Sequence, residues 1–135
     1  LGVAGSSWWN EGRAGICVAD RQKVRDAWFG LVGVCRSMME KCLRQTGLQA
    51  RDVSFFATHQ GVSWIQPLLK SACSFEGAKS LATYAQTASL GAANIPFILN
   101  LACKEGLLNK GDLVAMFQVG TGLSYSASLL RWTGA

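Results

Sequence analysis

A chain of 135 residues has material for one domain with a single sizeable core. Half of the residues are hydrophobic and only 16% are charged, which suggests elements buried on more than one side or a large interface awaiting a partner, yet no apolar run is long enough to suggest a membrane span. The net charge is +5, but the basic residues are scattered. Arg21, Lys23 and Arg25 form the one cluster, and no aromatic residues interleave with bases as nucleic-acid binding would require. That leaves a solvated surface, or steering of an acidic partner. The opening LGVAGSSWWNEG has neither the basic nor the apolar region of a signal peptide, so the expectation is a soluble cytoplasmic protein with no partner membrane or nucleic acid.

In chain order, residues 23–44 repeat with a helical period. Val24, Trp28, Leu31, Val32, Cys35, Met38, Met39 and Cys42 share one face, with charged residues on the other. Gly47 stands where a left-handed cap would end that helix. Residues 53–57 are β-rich and predict a strand, followed by Thr58-His59-Gln60-Gly61 and a helix over about 62–74 with Pro67 at a kink or in its first turn. A further strand is expected over 80–84. From Leu90 to Ala102 nearly every residue is apolar or small, which predicts a helix buried on all sides and bent at Pro96. Asn109 to Asp112 is turn chemistry, and 113–119 and 123–132 form two strands joined across Gly120-Thr121-Gly122. The whole is an α/β layered domain with a mixed sheet and one buried helix.

Three short segments stand where chemistry would need them. His59 lies at the strand-to-helix junction, the sheet edge at which α/β proteins place reactive groups. Ser89 closes the loop before the apolar helix, where backbone amides carry partial positive charge; it could equally be only an N-cap. The Gly120 to Gly122 turn can aim a backbone amide at an oxyanion, or can be only a hairpin. The five cysteines, at 17, 35, 42, 73 and 103, contain no CxxC pair, and one histidine cannot complete a zinc site with them. Reduced structural thiols and no metal are expected.

The segments FFATHQ around His59, SLGAANIP from Ser89 to Pro96, KEGLLNKGDLVAMFQVGTG from Lys104 to Gly122 and SYSASLLRW ending at Trp132 resemble, collinearly over 53–132, the C-terminal half of β-ketoacyl-(acyl carrier protein) synthase III. Residues 23–44 resemble the helix that precedes it. The resemblance implies that residues 1–135 form one thiolase-like domain and an acyltransferase of fatty acid or polyketide biosynthesis. In that chemistry a cysteine in the N-terminal half takes an acyl group from acyl-coenzyme A or acyl carrier protein. A carbanion made by decarboxylating malonyl-carrier protein then attacks it. It implies His59 as a catalytic residue and the backbone of Thr121 as part of the oxyanion hole. It also implies coenzyme A thioester and phosphopantetheine as substrates, with no permanently bound cofactor. The implied partners are acyl carrier protein, acyl-CoA, the N-terminal half of the same enzyme and a second copy in a homodimer.

Two departures qualify that picture. The family's asparagine falls thirty residues after the histidine, where this chain has Ser89, so its catalytic role as a donor is in question. None of the five cysteines opens a buried helix, so the nucleophile is expected outside this chain, which alone would be inactive. Besides condensation, two alternatives stand: non-decarboxylating acyl transfer to an oxygen, nitrogen or sulfur acceptor, and a non-catalytic partner subunit of a condensing enzyme.

Overall fold

The computed structural model describes residues 2–4, 15–17, 20–120 and 123–134. Strands β1 (Gly2–Ala4) and β2 (Gly15–Cys17) pair antiparallel. The main sheet holds β3 (Phe55–Thr58), β4 (Leu113–Gly120) and β5 (Ser124–Arg131) in the order β3-β4-β5, with β3 parallel to β4 and β4 antiparallel to β5. Helix α1 spans Arg21–Thr46, α2 Ile65–Ala72, α3 Tyr84–Thr87 and α4 Asn94–Lys104.

Each end of α1 has a visible cause. The Asp20 carboxylate accepts from Lys23 N at 3.0 Å, satisfying one free amide of the first turn. At the other end Gly47 adopts φ 69°, and Leu48 N donates to Leu43 O at 3.0 Å, closing the helix as its sequence predicts. Leu31, Cys35, Met39 and Leu43 form its buried face.

Period-two alternation of the strands divides the interior into two cores. Phe56 of β3 and Leu113, Ala115 and Phe117 of β4 meet α1 and α2, together with Phe75 and Leu69. Phe55, Ala57 and Val114 point the other way and meet Ile98 and Ala102 of α4. The result is an α/β/α sandwich in which β3 and the first half of β4 are buried on both faces. Each buried phenylalanine contributes about 1.5–3 kcal/mol of apolar burial.

Three expectations change in detail. Residues 80–84 form no strand: Lys79 makes a single parallel bridge to Phe55, and the chain then turns into the short α3. The helix predicted from Leu90 begins with a 3₁₀ turn at Gly91–Ala93 and becomes α-helical at Asn94. It is buried along Asn94, Ile98 and Ala102, whereas Pro96 and Asn100 are exposed, so one face rather than every face is covered. Pro67 lies in the first turn of α2, where its missing N–H costs nothing. Among the described residues no helix is long and apolar enough to cross a membrane.

Candidate active site

The site lies where β3 ends and β4 runs on beside it. Because they run parallel with Thr58 opposite Phe117, the next residues of each, His59 and Gln118, emerge together. His59 N donates to Phe117 O at 2.9 Å, extending the ladder by one bond and fixing the point at which the imidazole leaves the sheet. A cavity of about 540 Å³ opens there, lined by Trp28, His59, Gly61, Ser89, Gln118 and Gly120 among others. Its size suits a flexible small-molecule arm.

His59 Nδ1 lies 3.3 Å from the Gly91 carbonyl oxygen, to which it donates when protonated. The opposite ring nitrogen faces Gly61: a methyl group there would meet His59 Nε2 at 3.5 Å and Trp28 Cη2 at 3.2 Å. Glycine at this position therefore leaves the Nε2 edge of the imidazole open and lets Trp28 wall the cavity. Trp28 accordingly leaves the α1 core face on which its sequence spacing places it; it is 40% exposed. Burial pushes the His59 imidazole below its ordinary pKa, against the opposing effect of the Gly91 hydrogen bond. The ring is neutral at physiological pH, ready to donate or accept at Nε2 according to its tautomer.

Gln60, next along the chain, is fully buried and holds the segment that leads to Ser89. Its Nε2 donates to Leu81 O at 2.7 Å, while its Oε1 accepts from Thr83 N at 2.8 Å and Tyr84 N at 3.1 Å. Its backbone N–H donates to Asn94 Oδ1 at 3.3 Å, tying the histidine turn to the start of α4. The loop carrying Ser89 is thus held to the histidine by side-chain amides rather than by strand pairing. Ala88, directly before Ser89, has φ 51° and ψ −155°, a region that residues with a Cβ rarely occupy. Such strain persists only where the surrounding contacts over-determine the backbone.

Of the residues expected from sequence, His59 and Ser89 line one cavity. Gly120 joins them at the end of β4, while Thr121 and Gly122 lie outside the described residues. Trp28, Gly61, Gly91 and Gln118 complete the site without having been singled out, although Gly91 and Gln118 stand inside the quoted segments. Cys35, Cys42, Cys73 and Cys103 are free thiols, and none lines the cavity. Cys35 and Cys73 face each other at 3.6 Å inside the α1–α2 core, where their hydrogen bond lowers the Cys73 pKa and raises that of Cys35. Cys17 lies in β2, and its side chain is outside the described residues. Among the described residues no three of His, Cys, Asp and Glu gather as metal ligands.

Residues 43–132 match the family described as 3-oxoacyl-[acyl-carrier-protein (ACP)] synthase III C terminal. The chain belongs to this family. It is 38% identical over 96 residues to the β-ketoacyl-[acyl-carrier-protein] synthase III of Syntrophomonas wolfei, covering 71% of this chain and 29% of that protein. To the enzyme of the same name from Brucella anthropi it is 30% identical over 112 residues, covering 83% of the chain and 35% of the relative. The crystal structure of 3-oxoacyl-(acyl carrier protein) synthase III from Pseudomonas aeruginosa PAO1 superposes with a TM-score of 0.76 at 22% identity. It covers 96% of this chain and 39% of that one, a likeness of fold. The chain spans about a third of the length of these synthase III relatives. Its thiolase-like α/β architecture is that of their C-terminal region.

Proposed function

We propose that this chain is the histidine-bearing part of a synthase III-type acyltransferase, and that a cysteine in the rest of the fold carries the acyl group opposite His59. The carrying observation is the placement of a neutral imidazole, open at Nε2, at the head of a cavity large enough for a thioester arm. The exposed Arg21, Lys23 and Arg25 lie on the first turns of the helix that brings Trp28 to the cavity. They suit an acidic carrier protein or the phosphates of coenzyme A as acyl donor. A homodimer and a role in fatty acid or polyketide synthesis complete this reading.

Two reactions are open to such a site. In condensation, the bond to the malonyl carboxylate breaks and carbon dioxide leaves. Its electron pair passes into an enolate, which attacks the acyl carbon and displaces the cysteine thiolate. In transfer, an acceptor hydroxyl, amine or thiol gives its proton to Nε2 as it bonds to the acyl carbon. The C–S bond breaks, and the proton passes to the departing thiolate.

Ser89 favours transfer. Enolate stabilisation wants two donors converging on one thioester oxygen, and a serine hydroxyl reaches about one bond less far than an asparagine amide. Backbone amides serve the tetrahedral oxyanion of transfer, with the Thr121 backbone N–H as one of them in this reading. The test compares, on the complete enzyme, carbon dioxide release from malonyl-carrier protein with acyl transfer to alcohol, amine and thiol acceptors. Transfer should exceed condensation, and Ser89→Asn should raise condensation by about 100-fold or more. Fast condensation that Ser89→Asn does not raise would contradict the assignment.

A further inference from the structure

His59 Nδ1 sits between two partners of opposite demand. The Gly91 carbonyl at 3.3 Å can only accept, and Gln118 Nε2 at 3.5 Å can only donate. Both separations are long for hydrogen bonds, so a small tilt of the ring shortens one at the expense of the other. The Gln118 amide is itself oriented, because its Nε2 also donates to Val119 O at 3.2 Å. Turning the amide over would set its oxygen against that carbonyl, two acceptors facing each other. The second N–H of Gln118 is therefore the one left to meet the imidazole.

We infer that Gln118 biases the tautomer of His59 and thereby shifts the balance between the two reactions, on top of the preference that Ser89 sets. When Gln118 donates, Nδ1 is bare, the ring proton resides on Nε2, and the edge facing Gly61 and the cavity is a donor for a thioester or enolate oxygen. When Gly91 accepts instead, the proton resides on Nδ1, and Nε2 presents a lone pair that takes a proton from an acceptor group. Gln118 acts through His59 and is a positioning residue. It reaches the imidazole because the parallel pairing of β3 and β4 brings residues 59 and 118 side by side. The link to reaction choice rests on the function proposed above; the link to the tautomer does not.

The experiment is long-range ¹H–¹⁵N NMR on histidine-labelled protein, with His59→Gln to assign the resonances, recorded above the imidazole titration. The pyridine-like nitrogen is recognised by its strong downfield shift. In the parent protein Nε2 should carry substantial proton occupancy. Gln118→Met, which keeps the length and removes the donor, and Gln118→Glu, which replaces it with an acceptor, should each move the proton toward Nδ1 by about five- to tenfold in tautomer ratio. The ratio of decarboxylation to acyl transfer should fall in step. Unchanged shifts in both variants, or a parent protein already protonated only at Nδ1, would overturn the inference. A tautomer that moves while the reaction ratio stays fixed would overturn its link to reaction choice. Full turnover in His59→Ala defeats the proposed function instead, and leaves the tautomer result standing.

Discussion

At the residue scale, the role proposed for His59 rests on burial that favours the neutral ring and on Gly61, which leaves Nε2 open. Its pKa lies below the ordinary imidazole value of about 6.5. The folded state therefore binds fewer protons than the unfolded state between the two pKa values. This group's contribution to stability is present above about pH 6.5 and is lost as the pH falls from there through the folded value. In the proposed function neutral imidazole is the working form in either tautomer, so the acid limb of turnover on the complete enzyme should lie below pH ~6.5. A pH–rate profile with its acid limb above that value would contradict the assignment. His59 was legible in the sequence because a strand-like run delivers it to a sheet edge inside a recognisable segment. Gln118 was not, since its partner lies 59 residues away and only the parallel register of β3 and β4 brings the two together. Trp28 was misplaced for a related reason: helical spacing assigns a face but does not reveal where that face overhangs a cavity.

At the element scale, the helices and the hairpin were legible because their signals are local. The α1 stripe, the Gly47 cap and the Asn109 to Asp112 turn all act within a few residues, and Asn109 N donates to Asp112 Oδ2 at 2.8 Å as that turn requires. Residues 80–84 were not legible, because their backbone is held by one distant side chain. Gln60 supplies three short hydrogen bonds to Leu81, Thr83 and Tyr84, taking the place of a neighbouring strand. Gln60→Leu removes all three and leaves buried polar groups unmatched, at a cost of about 2–4 kcal/mol. Denaturant melts should show that loss, with amide exchange protection falling first around residues 81–84. A change under about 0.5 kcal/mol would mean that the loop is held by something else.

At the scale of the whole molecule, the two-sided burial of β3 and the first half of β4 makes a rigid platform. The candidate site sits at its edge, with Trp28 of α1 contributing one wall and the Ser89 to Ala92 segment ahead of α4 the other. The layered α/β class was legible from alternating strand and helix signals. The one-sided burial of α4 was not, because an apolar sequence records what a helix is suited to contact rather than what this chain places against it. None of the described thiols reaches the cavity, so the acyl group should reside elsewhere in the complete enzyme. After incubation with acyl-coenzyme A, peptide mapping should find no thioester on Cys17, Cys35, Cys42, Cys73 or Cys103; a stoichiometric adduct on any of them would relocate the nucleophile. The central claim is that His59 performs chemistry, and its most direct test is turnover of the complete enzyme with His59→Ala. Product formation should fall by about 100-fold or more, while acylation of the enzyme cysteine survives better, because a thiolate can be stabilised by a helix N-terminus alone. Product formation at the parent rate would contradict the account and leave His59 as a structural residue.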